Sequence, residues 1–167
     1  MKKVFLRSIS VVFLSVICLG FISGAPAPKY KIGDFAQGGI VFWVDKTGEH
    51  GLVCAKSDIP YKVSWIYAED VCNNLLITQD GVKYDDWYLP SIKELSQVYD
   101  NYVLIDKIAS ENGGDVFKKR PYFQITSYWS STEYKNSDYA YRVRFANGRA
   151  LQLNKYYGYL IRAIRAF

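Results

Sequence analysis

The sequence predicts an α+β domain, mostly antiparallel in its sheets, and three observations predict it. Two β-rich runs come first, two or three helical stretches follow, and short strands fill the remainder. The opening runs are Gly38 to Val44 and His50 to Lys56, which flank Asp45-Lys46-Thr47-Gly48-Glu49 and read as a hairpin. Ser64 to about Thr78 reads as a helix with Ser64 as N-cap. Ala68, Val71, Cys72, Leu75 and Leu76 then share one face.

Ser91-Ile92-Lys93-Glu94 has capping-box spacing: the serine hydroxyl can accept the Glu94 amide while the Glu94 carboxylate reaches back. Pro90 limits backward extension of that helix, and Leu95, Val98 and Tyr99 supply its buried stripe. A further helix, about Val103 to Asn112, ends at Gly113-Gly114. From Tyr128 the pattern turns to strands. Tyr139 to Phe145 alternates, Asn147-Gly148 is a two-residue hairpin signal, Arg149 to Leu153 returns, and Leu160 to Phe167 is a final strand.

Ahead of the domain, Met1 to about Gly24 reads as a secretory signal peptide. Lys2, Lys3 and Arg7 precede an apolar stretch from Ile9 to Ile22, and Ser23-Gly24-Ala25 offers small residues for cleavage. The stretch is shorter than the roughly 20 residues a bilayer span needs. The expectation is a secreted or cell-surface protein with no stable membrane span after cleavage. Residues 25–32, with Ala25-Pro26-Ala27-Pro28, form a short linker, and residues 33–167 form one domain with one core.

Beyond the signal the chain keeps Cys54 and Cys72. In an oxidising compartment they can pair as a disulfide between a strand and the following helix. Closing a loop of that size stabilises by roughly 3 kcal/mol in the chain-entropy picture. The plainer alternative is two buried free thiols.

Charge divides the mature chain. Residues 25–117 carry eight lysines against fourteen acids, a net of −6, whereas residues 118–167 carry ten basic residues against Glu133 and Asp138, a net of +8. Arg142 and Arg144 stand two apart on a predicted strand, so they share a face, and Arg149 lies just across the turn. Lys118, Lys119 and Arg120 form a second basic cluster, and Lys155 follows the return strand. Tyr141 and other tyrosines interleave with these cations. Arginine presents a flat fork to sulfate, phosphate or carboxylate, and tyrosine a flat apolar face with a polar tip. These eight residues are the candidate ligand-binding set; the plainer reading is a solvated strand face.

Catalytic chemistry is poorly supplied. His50 is the single histidine, which leaves neither a triad nor a zinc set, and no Gly-x-Ser-x-Gly elbow occurs. Asp85 and Asp86 are adjacent on an extended segment and point apart, so they cannot converge on a glycosidic bond. Asp80, Asp85 and Asp86 offer oxygen ligands to calcium, but a solvated turn is the preferred reading. No cofactor is expected, and an export signal argues against nucleic acid.

Four segments occur in a recognisable order: Gly38-Gly39-Ile40-Val41-Phe42-Trp43-Val44; Asp86-Trp87-Tyr88-Leu89-Pro90-Ser91 with Glu94-Leu95; Tyr128-Trp129-Ser130-Ser131-Thr132-Glu133-Tyr134; and Ile161-Arg162-Ala163-Ile164-Arg165-Ala166-Phe167. Together they resemble the C-terminal domain of the legionella collagen-like adhesins, the Lcl C-terminal domain family, from about Gly33 to Phe167. The resemblance implies a C-type-lectin-like fold in which the chain ends meet in one sheet and long loops carry the ligand site. It also implies a non-enzymatic adhesin-type module for sulfated polysaccharide, such as a glycosaminoglycan or other host surface glycan. Arg162 and Arg165 match the family's closing Arg-x-x-Arg, where a sheet-locking role is expected. The Gly-X-Y stalk of the named adhesins is missing, so their trimeric state is not carried over. Tyrosine and arginine also favour protein interfaces, which makes another surface protein, or a second copy of this chain, the alternative partner.

Overall fold

The structure is a computed structural model, and it describes residues 27–118, 126–135 and 137–167. The expected signal peptide, Lys119 and Arg120 lie outside the described residues.

Strands β1 (Phe35–Ala36), β2 (Gly39–Val44) and β3 (Gly51–Cys54) open the domain. Next come β4 (Val63–Ser64), helix α1 (Trp65–Asn73), and the hairpin β5 (Ile77–Gln79) and β6 (Val82–Tyr84). Helices α2 (Ile92–Asp100) and α3 (Tyr102–Glu111) precede β7 (Ser127–Glu133), β8 (Tyr139–Arg144) and β9 (Arg149–Asn154). The chain closes with β10 (Gly158–Tyr159) and β11 (Ile164–Ala166). The fold is therefore α+β. One sheet runs in the order β1-β2-β3-β11 and a second in the order β7-β8-β9, with antiparallel pairing throughout both.

Strand alternation divides the core. Ile40, Phe42 and Cys54 turn to one side and meet Leu95 and Val98 of α2, Ile105 of α3, Tyr128 and Phe145. Val41, Val53 and Ala55 turn to the other side and meet Ala68 and Cys72 of α1, Trp87, Trp129 and Ile161. This division corrects the disulfide expectation. Cys54 and Cys72 are both free and buried. Because Cys54 faces the α2–α3 side while α1 covers the opposite one, a bridge would have to cross the sheet.

Two further local expectations are revised. Helix α1 stops at Asn73, and the β5–β6 hairpin takes the residues beyond it. Its turn, Asp80-Gly81, has φ of 51° and 80°, the left-handed pair that a tight hairpin requires. The β8–β9 connection spans four residues, 145–148, instead of the two-residue Asn147-Gly148 turn, with Arg144 paired directly to Arg149. Phe145 N donates to the Thr126 carbonyl at 3.1 Å on the β7 side, and its ring is buried, with its centre 4.4 Å from that of Phe117 and 4.6 Å from that of Tyr128. The capping box forms as expected: Glu94 N donates to the Ser91 hydroxyl at 3.3 Å, and Ser91 N to the Glu94 carboxylate at 2.8 Å.

Arg162 and Arg165 hold the C-terminal segment in place. Arg162 is 1% exposed, and its Nε donates to Asp58 at 2.7 Å. Its two terminal nitrogens donate to the Ala55 carbonyl at 3.1 Å and the Asp115 carbonyl at 3.0 Å. Asp58 also accepts from the Tyr128 hydroxyl at 3.0 Å. Burial leaves the Asp58 carboxyl above its ordinary pKa, although Arg162 and Tyr128 pull the other way. Arg165 grips both oxygens of Asp86 and donates to the Gln37 carbonyl at 3.0 Å.

Arg162→Met should therefore destabilise the protein by about 3–5 kcal/mol in urea unfolding, because Asp58 would be left buried without its cation. The hydrogen bond from Arg165 holds Asp86 below its ordinary pKa of 3.8. A carboxyl lowered in the folded state adds stability above its unfolded pKa, and that contribution fades as pH falls through the folded value. The stability gap between wild type and Asp86→Asn should accordingly shrink as urea melts are taken from about pH 5 to pH 2.

Candidate functional site

The β7-β8-β9 sheet sets the geometry of the predicted basic residues. Ser127 pairs with Arg144 and Arg144 with Arg149, while Trp129 pairs with Arg142 and Arg142 with Leu151. Directly paired and alternate residues share a face, so Arg142, Arg144 and Arg149 stand on one side in a bent row. Arg142 and Arg144 share a face as their spacing predicts, and the pairing of Arg144 with Arg149 brings the third onto it.

They differ in depth. Arg142 is only 5% exposed. One terminal nitrogen donates to the Ser127 hydroxyl, and the guanidinium lies 4.7 Å from the centre of the Tyr159 ring. Burial draws its pKa below the ordinary arginine value; Tyr159 opposes that shift, and the nearby charge of Arg144 adds to it. Its Nε has no hydrogen-bond partner, nor does the buried Nε of Arg144. Arg144 is half-buried and Arg149 exposed. Among the described residues no carboxylate pairs with any of the three, whereas Lys155, Arg162 and Arg165 are each paired to one.

The remaining candidates lie apart. Lys155 follows the far end of β9, six residues beyond Arg149 and thus roughly 20 Å away along the strand. Its ammonium is bound to Glu133 at 2.8 Å and lies 4.6 Å from the Trp65 ring centre. Tyr141 alternates with Arg142 and so faces the other way, with its hydroxyl accepting from Gln152 at 3.4 Å and its ring beside Tyr134. Lys118 is exposed, and its amide donates to the Tyr128 hydroxyl at 3.1 Å. Tyr128 pairs with Val143 and therefore projects from the face opposite Arg142. The single Arg/Lys/Tyr face expected from sequence resolves into separate places.

Outside that set, the most exposed tyrosines near this sheet are Tyr139, Tyr156 and Tyr157. They surround an open depression of about 530 Å³ with Leu153 and Asn154. The alternation of aromatic and polar residues in this stretch carried the signal, but not the clustering. Trp87 and Trp129 are buried in the core and offer no stacking surface.

Reactive groups are withdrawn from solvent. Burial pushes the Cys54 and Cys72 thiols up to about 12, far from thiolate reactivity at neutral pH. Among the described residues, no cluster of three or more His, Cys, Asp or Glu side chains gathers to hold a metal. Asp80 and Asp85 are exposed, and Asp86 is taken by Arg165. No helix among the described residues is long and apolar enough to cross a membrane.

Comparison with known families finds a match between the Lcl C-terminal domain and residues 41–165. No curated protein matches the chain.

Depth predicts different mutational costs along the row. Arg142→Ala should lower stability by about 1–3 kcal/mol, since it removes a buried hydrogen bond and leaves space under Tyr159. Arg149→Ala should stay within about 0.5 kcal/mol of wild type. Chemical unfolding of the two variants side by side provides the check.

Proposed function

Because the chain belongs to the Lcl C-terminal domain family, a family of adhesin-type domains, we propose that it is an adhesin-type surface module binding sulfated polysaccharide through the Arg142–Arg144–Arg149 row. The observation that supports this reading most is the contrast among the arginines. Arg162 and Arg165 are satisfied by Asp58 and Asp86, while the row has no carboxylate partner among the described residues. Unpaired guanidinium forks suit sulfate, which accepts two parallel hydrogen bonds from one arginine.

Within the row, Arg149 and Arg144 contact the polymer. Arg142, one alternate position along β8 from Arg144 and against the Tyr159 ring, adds positive potential at short range. The position of β11 in the same sheet as β1 accords with a C-type-lectin-like architecture. The apolar N-terminal segment with its leading cations supports export to the surface or the medium. Buried thiols and a single histidine support binding without turnover.

Heparin retention on a column is expected to be salt-sensitive, with an uncharged dextran column giving no retention. Arg144→Ala with Arg149→Ala should reduce the slope of log affinity against log salt by about one to two. Absence of wild-type retention at low salt would remove the sulfated-glycan reading. Retention that ignores salt would favour a desolvated protein-type interface instead.

A further inference from the structure

We propose a second, uncharged saccharide subsite at the far end of the β8–β9 hairpin, where Tyr139, Tyr156 and Tyr157 surround the depression that Leu153 and Asn154 complete. The proposal rests on the polysaccharide reading above and extends it to a chemically different contact.

Tyr139, Tyr156 and Tyr157 are 47%, 71% and 61% exposed. Such a concentration of open aromatic surface marks a contact site more often than scattered single exposures do. The turn that carries two of these rings is also firmly held. Lys155 N donates to the Asp138 carbonyl at 2.8 Å, and the Lys155 carbonyl accepts from Trp65 N at 2.8 Å. Tyr156 N donates to the Asn154 side-chain oxygen at 3.0 Å, and Tyr157 N to the Asn154 carbonyl at 3.2 Å. A ligand meeting these rings therefore has little backbone ordering to bring about.

The chemistry of the depression selects the ligand class. None of its five lining residues is charged, and Lys155, which precedes Tyr156, is neutralised by Glu133 at 2.8 Å. A sulfate gains nothing there. A sugar ring has an apolar face of C–H groups and an edge of hydroxyls. The tyrosine faces match the first, while the phenol hydroxyls and the Asn154 amide nitrogen match the second. Tyr139 stands two residues before Tyr141 and shares its face, opposite the arginine row, so a polysaccharide chain that engages both contacts passes around the β9 edge of the sheet, with roughly 20 Å of strand between Arg149 and Lys155. Each contact then raises the effective concentration of the other.

The test uses a heparin oligosaccharide and its chemically desulfated counterpart, titrated calorimetrically over a salt series. Tyr156→Ala with Tyr157→Ala should bind the heparin oligosaccharide about tenfold more weakly at every salt concentration, with an unchanged slope. The same variant should lose the weak binding to the desulfated oligosaccharide. Tyr156→Phe with Tyr157→Phe keeps the rings and should retain most of both, whereas Arg149→Ala should lower the slope and spare the desulfated ligand. If the tyrosine-to-alanine variant matches wild type on both ligands, or alters only the slope, the subsite is wrong while the arginine row stands. Wild-type binding to the desulfated oligosaccharide with no salt-sensitive gain on sulfation overturns the arginine reading alone. Failure of wild type to bind either oligosaccharide removes both.

Discussion

The buried ion pair between Arg162 and Asp58 is the constraint on which the rest of the domain depends. The Arg162 guanidinium reaches two separated segments, one at Ala55 and Asp58 and the other at Asp115, and lies 4.3 Å from the Phe117 ring centre. Next to it, Ala55 N and Ile59 N donate to the carbonyls of Ala163 and Ile161, so the chain around Arg162 is held by backbone as well. A buried charge is tolerated only when its hydrogen-bonding capacity is satisfied, and here both carboxylate oxygens of Asp58 have partners. Such a pair contributes less net stability than its short distances suggest. What it supplies is uniqueness, because any other register of the final segment strands a charge in the core.

That satisfied pair gives meaning to the unsatisfied row on the other sheet. The second half of the mature chain holds a large excess of cations, and the fold uses Arg162 and Arg165 for its own closure. Arg142 is an intermediate case, buried like a structural arginine but partnered by a hydroxyl and a ring instead of a carboxylate. Its charge is thus carried in the protein without being cancelled. Potential of this kind acts over several ångströms and does not require that the buried guanidinium itself touch the ligand.

Much of the fold was legible because local signals agreed with one another. The first hairpin and the capping box at Ser91 and Glu94 follow from spacing alone, whereas of the strand expected over Leu160 to Phe167 only Ile164–Ala166 forms, the residues ahead of it being held instead by Ala55, Asp58 and Ile59. The β5–β6 hairpin was missed although Asp80-Gly81 is a strong turn signal; apolar Leu75 and Leu76 seemed to continue the helical stripe and outweighed it. For the site, the shared face of Arg142, Arg144 and Arg149 was readable from alternation. Depth was not, because it depends on Tyr159 arriving from a later segment to cover Arg142. The same limit explains Cys54 and Cys72, whose sequence spacing permits a bridge while the intervening sheet separates them. Lys155 looked free because Glu133, its partner, lies far away in sequence.

The first described residues and the last ones meet at one end of the larger sheet, beside the β2–β3 turn: Lys29 N and Tyr30 N donate to the Thr47 and Gly48 carbonyls at 3.3 and 3.1 Å. Tyr30 and Phe167 meet ring to ring at 5.2 Å, and Gly51 exchanges both backbone hydrogen bonds with Phe167. Anything joined ahead of Lys29 and anything joined after Phe167 would depart from the same neighbourhood. A second unit fused to either end would therefore start from beside the β2–β3 turn.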